Sequence, residues 1–394
     1  MSGVIIDTEY LDNPQIWWKR FLDGEVDLVK STPEDSISVL DLFSSVGGLA
    51  LGTRVGAHLL GKNVIFNGAV DTDCDALAVH KNNFSTHRII EESVRNLVDF
   101  RIVEDESGKA SLKYASPEGA VADLKPDLII GGPPCQGHST LNNKTRGNDP
   151  KNQLMLVMPA LAKALSVKAV VIENVPNVMN DSKNVVEITE ELFINAGYKV
   201  KKGVIAANKL GWPQTRKRFF MVARLEEEPI NFSDVESLIK MESADLRWCI
   251  GGMEDLDDGP MDRVPELNKD NRRRIAYLFE TGEYNLPNKE RPECHQKGTT
   301  YKASYGRMKY DKPAPTLTTG FLTPGRGRFI HPERQRVLTP REASRVQGFP
   351  KGFDFVGAIE NKSDKNSSRE NLSKWIGDAV PPILGSVAAI SAIG

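Results

Sequence analysis

The stretch ISVLDLFSSVGGLALG, residues 37–52, decides the fold. Residues 37–43 form a short apolar run that reads as a buried strand, and residues 49–60 read as a helix. Between them stands Gly47-Gly48. Glycine at a strand-to-helix turn lets a ligand approach the backbone and the free amides of the helix start. Working outward, residues 64–70 read as a second strand and residues 76–82 as a helix. Residues 128–130 and 170–172 are short buried strands, with a helix over 154–165 between them. Val185, Ile188 and Leu192 share a helical face with Phe193 beside it, and strands follow near Val200 and over 219–223. Such alternation predicts an α/β fold: a doubly wound, mostly parallel sheet with Rossmann-like topology.

After about residue 226 the rhythm breaks. Residues 226–313 are charged and punctuated by Pro, Gly and Asn, without a clear period. We divide the chain into an N-terminal extension (1–35), a sheet domain (36–225), a second, smaller domain (226–335) and a return segment (336–394) whose terminal helix packs back onto the sheet domain. The extension, with Trp17-Trp18, is expected to pack on the body. Arg272-Arg273-Arg274 is read as a solvated helix face. Residues 357–374 are polar and read as a surface loop.

The formal net charge is -2, so no global basic field advertises a polyanionic partner, and any positive charge that meets one must be gathered locally. The four cysteines lack zinc-knuckle spacing, so no metal is expected. With no secretory leader and no apolar run of spanning length, the reading is free thiols in a reducing cytosol and no membrane.

Three short motifs carry chemistry. In GGPPCQG (131–137), Cys135 follows an apolar strand at the sheet's carboxyl edge, where open sheets hold ligands. Pro133 and Pro134 fix the backbone ahead of the sulfur, a collar that suits a nucleophile rather than a core thiol. Cys74, Cys249 and Cys294 fit the ordinary role of a buried, inert cysteine. In VVIENV (170–175), Glu173 closes a buried strand, where a carboxylate is costly unless protonated or hydrogen-bonded. That raised proton affinity suits general-acid work; a helix-capping role is the alternative. In QTRKR (214–218), alternation puts Arg216 and Arg218 on one face, fit for an oxyanion or a phosphate, or for surface ion pairs. Asp71 ends the second strand about twenty residues past the glycine turn, where doubly wound nucleotide sites place a ribose-binding carboxylate. Turn and carboxylate together imply a cofactor bearing adenosine.

With DLFSSVGGLALG, GGPPCQG, ENV, QTRKR, TPREASRVQGFP (339–350) and GDAVPP (377–382) in this order, the chain resembles the DNA (cytosine-5)-methyltransferases over residues 37–225 and 306–394. The resemblance implies methyl transfer from S-adenosyl-L-methionine to carbon 5 of a cytosine flipped out of duplex DNA, with Cys135 adding to carbon 6. It implies that Glu173 holds ring nitrogen 3 and the exocyclic amine, and that Arg218, with Arg216 as companion, contacts the carbonyl oxygen. Phe43, Val46, Gly48, Asp71, Thr72, Ser93, Pro133, Leu154, Asp378 and Val380 fall on cofactor positions. Residues 139–148 resemble a loop that closes over DNA, in which Ser139, Lys144 and Arg146 would meet it, with Gln136 as a further DNA-contact candidate ahead of the loop. The second domain becomes a target recognition domain, in which Arg326 and Arg328 are candidates for reading guanine or meeting phosphate. Arg341-Glu342 matches a pair that organises that domain. Ser45, Ser93, His138 and Asp378 depart from the family's commoner residues. Double-stranded DNA is the implied partner, the chain is read as a monomer, and a bacterial source implies a cognate restriction endonuclease as a functional counterpart. The rival readings are a transfer RNA cytosine methyltransferase, a catalytically weakened DNA-binding relative and a thiol hydrolase.

Overall fold

The computed structural model describes residues 6–29, 35–106, 108–134, 154–253, 257, 259–296, 303–357 and 365–394. Two helices, α1 (Thr8–Asp12) and α2 (Pro14–Asp23), precede the alternation. Then come β1 (Ser36–Leu42), α3 (Gly48–Leu59), β2 (Asn63–Asp71), α4 (Cys74–Phe84) and β3 (Arg88–Glu91). A hairpin of β4 (Val98–Glu104) and β5 (Ala110–Pro117) intervenes. The alternation resumes with β6 (Leu128–Gly131), α5 (Val157–Leu165), β7 (Ala169–Asn174), α6 (Val185–Asn195), β8 (Tyr198–Ala206) and β9 (Lys217–Leu225).

Seven of these strands form one sheet in the order β3-β2-β1-β6-β7-β9-β8. The first five run parallel, and β9 is antiparallel to both β7 and β8. The chain winds outward from β1 through β2 to β3, then restarts on the other side of β1 with β6. The carboxyl ends of β1 and β6 therefore flank the crevice at which such sheets bind ligands. Both faces of the sheet are covered: Val170 and Ile172 enter one apolar cluster, Ala169 and Val171 the other. A strand buried on both sides reads as a continuous apolar run, which is why residues 170–172 stand out in the sequence.

The remainder contributes helices and irregular segments: α7 (Phe232–Ile239), α8 (Leu246–Ile250), α9 (Lys269–Glu280), α10 (Glu293–Gln296), α11 (Pro340–Gln347), α12 (Lys365–Asp378) and α13 (Pro382–Ile393). The arginine run lies on α9. Only part of it faces solvent: Arg273 pairs with Glu290 at 2.8 Å, and Arg274 is buried with its guanidinium 5.5 Å from the Tyr305 ring. The loop expected over 357–374 is corrected by α12, whose Leu372, Trp375 and Ile376 are buried on one stripe. Three apolar residues among so many polar ones are too few to register as a period.

α13 is apolar around its whole circumference and lies against α3, as expected of a returning helix. The contact is made by glycine. A Cβ on Gly52 would lie 2.7 Å from the Gly385 Cα, and one on Gly56 would lie 2.9 Å from the Ala389 Cβ. The N-terminal extension also packs inward. Trp17, Trp18, Phe21 and Leu22 are buried; Trp18 meets Trp212 edge-on at 5.1 Å, and Tyr10 Oη donates to the Ile239 carbonyl at 2.5 Å. Arg345 of α11 donates to the carbonyls of Leu22 and Cys249. Among the described residues no single helix is long and apolar enough to cross a membrane.

Candidate active site

The turn after β1 is strained by design of its sequence. Phe43 has φ +55° and Ser45 φ +46°, a region that bulky L-residues avoid, and Gly47 follows at φ +91°. Asp71, at the end of the neighbouring β2, holds this shape. Its Oδ2 accepts from Ser45 N at 2.9 Å and its Oδ1 from Asp73 N at 3.0 Å. Asp73 in turn caps α4 and accepts from Lys374 Nζ at 2.8 Å and Trp375 Nε1 at 3.2 Å. Burial alone would raise the Asp73 pKa; those donors outweigh it and hold the carboxyl below its ordinary value. Gly48 lets Val380 close the far wall, since a Cβ there would sit 2.9 Å from the Val380 carbonyl oxygen. Asp71 thus meets the turn at Ser45, and Val380 meets it at Gly48. Leu154 is buried in the cluster that Phe43 packs against.

The second half of the site lies one strand over. Parallel pairing sets Gly131 of β6 level with Ile172 of β7, so Glu173 stands beside Gly132. A Cβ on Gly132 would lie 3.1 Å from Glu173 Oε2, so glycine leaves the room this carboxyl occupies. Asn174, also buried, donates Nδ2 to the Pro133 carbonyl at 3.3 Å and accepts Val175 N at 2.8 Å, tying the two motif loops together. Burial raises the Glu173 pKa; Arg218 and then Arg216 pull it back only in part. Arg218 Nε lies 2.7 Å from Glu173 Oε1. That distance is ionic contact, yet its angle misses hydrogen-bond alignment, and Oε1 has no aligned donor among the described residues. Asp378 lies near enough to push the Glu173 pKa further up. Its own pKa is raised by burial against Arg216, Lys374 and Arg218, although its surface is reached by solvent.

Arg216 departs from its expected role. Its guanidinium is buried and donates to the carbonyls of Leu317 at 2.6 Å, Gly377 at 2.9 Å and Asp378 at 3.2 Å. Sharing a strand face with Arg218 does not give it the same partners. It anchors Gly377 and Asp378, and its charge lowers the Glu173 pKa. Gln214 and Gln347 complete this junction: Gln214 Nε2 donates to Gln347 Oε1 at 2.9 Å, and Gln347 Nε2 to the Ile376 carbonyl at 2.5 Å. The QTRKR, RVQGFP and GDAVPP motifs are therefore one interlocked seam. Arg328, partly exposed, donates to the carbonyls of Tyr284 and Arg307, each at 2.9 Å, and to Asn285 Oδ1 at 2.5 Å. Arg326 remains exposed. Arg341 grips Asp262 through two nitrogens, tying α11 to the segment that carries Asp262, and Glu342 pairs with Arg336 at 2.7 Å inside a capping box with Thr339.

Thr72 is exposed beside Asp71, and Ser93 is partly exposed ahead of a short 3-10 turn over Val94–Leu97. Pro133 is buried. Of the three cysteines read as inert, only Cys249 is buried, its thiol pushed up to about 12 by burial; Cys74 and Cys294 are exposed. Cys135, Gln136, Ser139, Lys144 and Arg146 lie outside the described residues, as does His138. Sequence reasoning missed Asn174 and the Asp73–Lys374 pair. The first adjoins Glu173 in the motif, but the second spans 301 positions and leaves no local signal.

Comparison with known proteins bears on this geometry. A family model described as C-5 cytosine-specific DNA methylase matches residues 37–391. The type II methyltransferase M1.BsuMI of Bacillus subtilis is 36% identical over 361 residues, covering 90% of this chain and 80% of that protein. The type II methylase M.HgiDII of Herpetosiphon aurantiacus is 31% identical over 373 residues, covering 90% and 94%. Among solved structures, the Entamoeba histolytica methyltransferase EhMeth superposes with a TM-score of 0.55 at 16% identity, covering 90% of this chain and 97% of that one. At that identity the likeness speaks for the fold.

Proposed function

The chain belongs to the C-5 cytosine-specific DNA methylases, and from that membership we propose that it is an enzyme that methylates carbon 5 of a cytosine flipped out of a short duplex DNA site, through a transient bond to Cys135. The observation that carries this reading is Glu173. It is a buried carboxyl whose pKa is raised, set against Gly132 three residues before Cys135, with Arg218 alongside and one oxygen lacking an aligned donor.

The chemistry needs such a group. An aromatic ring carbon is a poor nucleophile until addition breaks the ring's conjugation. The Cys135 thiolate forms a bond to carbon 6, and a proton from Glu173 meets ring nitrogen 3 as charge builds there. Arg218 balances the carboxylate that remains. Once carbon 5 has gained its methyl group, loss of the carbon-5 proton to water expels the sulfur as thiolate, and the nitrogen-3 proton returns to the Glu173 carboxylate, so that the ring and the enzyme are both restored. Flipping the base costs a few kcal/mol of stacking and pairing, which contacts in the pocket must offset. Asn174, bonded to the Pro133 carbonyl, keeps the nucleophile's loop in register with Glu173.

S-adenosyl-L-methionine, when bound, supplies the electrophilic methyl group. The crevice suits it: Asp71 stands where ribose hydroxyls need an acceptor, each of its oxygens keeping a second lone pair beyond the backbone amide it already holds. Apolar walls come from Phe43, Val46 and Val380, and Ser44 Oγ is buried with no hydrogen-bond partner among the described residues. The type II relatives make a cognate restriction endonuclease the natural functional counterpart.

The test is a duplex library carrying 5-fluorocytosine. The fluorine cannot leave as a proton does, so a covalent protein–DNA adduct should accumulate with the intact chain and be absent from Cys135→Ser. Methyl transfer by Cys135→Ser, or transfer to transfer RNA but not to duplex DNA, overturns the proposal.

A further inference from the structure

A cavity of about 470 Å³ opens beside Thr215, between the QTRKR segment and the second domain. Its chemistry is uneven. Lys309 and Lys312 are exposed on its wall, and neither makes an ion pair among the described residues. Lys309 Nζ instead lies 4.5 Å from the centre of the Tyr284 ring, a position that fixes the ammonium without neutralising it. In a chain of net charge -2, this is the locally gathered positive charge that the sequence demanded.

Asn285 adds a donor of fixed orientation. An arginine head can only donate, so the Asn285 atom 2.5 Å from Arg328 Nη2 must be its oxygen. The amide nitrogen is thereby left for a ligand. Arg328 is itself locked by two backbone carbonyls. A donor braced by a second braced group suits recognition of a defined edge; a phosphate contact needs no such bracing. Glu283, exposed on the same rim, is the acceptor of the set.

Donors on one side and a carboxylate on the other match one partner. In the major groove a guanine presents two acceptors, N7 and O6, and its paired cytosine presents an amine. Thr215 is three residues from Arg218, about 10 Å along an extended chain, and base pairs stack about 3.4 Å apart, so the cleft reaches roughly three or four pairs from the Glu173 pocket. We propose that this cleft reads a G·C pair close to the methylated cytosine, with Asn285, Lys309 and Lys312 on the guanine and Glu283 on its partner's amine. The proposal rests on the DNA-methylating function above and assigns part of its sequence specificity.

The experiment uses the full chain and a duplex library with randomised flanks, read by bisulfite sequencing for wild type, Lys309→Ala and Asn285→Ala. Both positions are exposed, and unchanged S-adenosylmethionine binding confirms that each variant is folded. The wild type should require guanine at one position within about four pairs of the methylated cytosine, and each variant should lose about tenfold or more of the discrimination there while other positions hold. Unaltered sequence profiles, with a uniform loss of rate and a shallower salt dependence, would make these residues phosphate contacts and overturn the proposal. Unaltered profiles and rates overturn it too. A wild type that methylates no cytosine defeats the parent function and this assignment together, whereas an active wild type with indifferent variants defeats only the assignment.

Discussion

Replacing Gly52 by alanine sets two effects of opposite sign against each other. Gly52 lies inside α3, where alanine is favoured over glycine by about 0.8–1.0 kcal/mol on backbone grounds. Propensity therefore predicts a stabilised protein. The contact with α13 predicts the reverse. The new methyl would lie 2.7 Å from the Gly385 Cα and 2.8 Å from the Pro382 carbonyl oxygen. Both are backbone atoms and cannot rotate aside. Carbon–carbon contact wants about 3.5–4.0 Å, so the helices must separate by roughly 1 Å, a gap that forfeits about a quarter to a half of the attraction across the seam. Overpacking of this kind costs about 1–3 kcal/mol. With backbone atoms on two sides the cost belongs in the upper half of that range, about 2–3 kcal/mol, so the packing term should win and leave Gly52→Ala less stable by about 1–2 kcal/mol.

The assay is the urea midpoint at unchanged m-value, with Gly259→Ala as control, because a methyl at Gly259 meets open space. The control should stay within about 0.5 kcal/mol of wild type. Calorimetric titration of S-adenosylmethionine adds a functional readout: α3 begins at the strained turn and Gly48 abuts Val380, so separation of the helices should weaken affinity several-fold. A Gly52→Ala protein as stable as wild type, or more so, would refute the claim that the glycine contact seats the C-terminal helix.

Glu173→Gln keeps the shape and a donor but has no proton to give, so turnover should fall by about 10²- to 10⁴-fold with little change in cofactor affinity; a rate within tenfold of wild type removes Glu173 as the acid. Stability tests the same residue. Because the folded pKa is raised, the neutral form suits the fold, and the wild type loses stability as pH climbs from the ordinary carboxylate range through the raised value. Denaturation midpoints against pH should therefore show Glu173→Gln gaining on wild type as pH rises, and parallel curves would contradict the burial argument. Asn174→Ala severs the bond to the Pro133 carbonyl and should cut turnover about 100-fold through a displacement on the order of 1 Å, while S-adenosylmethionine binds normally; unimpaired turnover would show that the nucleophile's loop is held otherwise.

The parallel strands were legible because burial on both faces makes them continuous apolar runs: residues 64–70, 128–130 and 170–172 fall within strands of the sheet, and the first run, read as 37–43, ends one residue earlier at Leu42 because Phe43 begins the turn. β3 escaped notice because Arg88–Glu91 is four residues long with charges at both ends, and the β4–β5 hairpin because much of it faces solvent. The antiparallel placement of β9 depends on pairing with β7 more than forty positions away, which no local pattern encodes. Side-chain roles followed the same divide. Glu173 could be singled out because a carboxylate ending an apolar strand is locally anomalous. Arg216 and Arg328 could not be sorted from Arg218 and Arg326, because alternation gives a face and not a partner; the carbonyls that engage Arg216 come from residues 317, 377 and 378.

Ser45 shows how the fold absorbs a departure from its family's pattern. The cofactor turn in that family commonly has glycine where this chain has Ser45, and glycine enters the left-handed region without penalty. Serine at φ +46° does not, and such strain costs about 1–3 kcal/mol. The compensation is visible one strand away. Asp71 accepts the Ser45 amide at 2.9 Å, and a hydrogen bond to a charged group contributes about 1.5–3 kcal/mol, enough to match the strain. The same carboxylate takes the Asp73 amide, and Asp73 takes Lys374 and Trp375 of α12. A conformation that glycine would adopt freely is here imposed by a chain of bonds running from the turn through β2 to the return segment. Serine at position 45 thus adds a strain that the bond to Asp71 offsets.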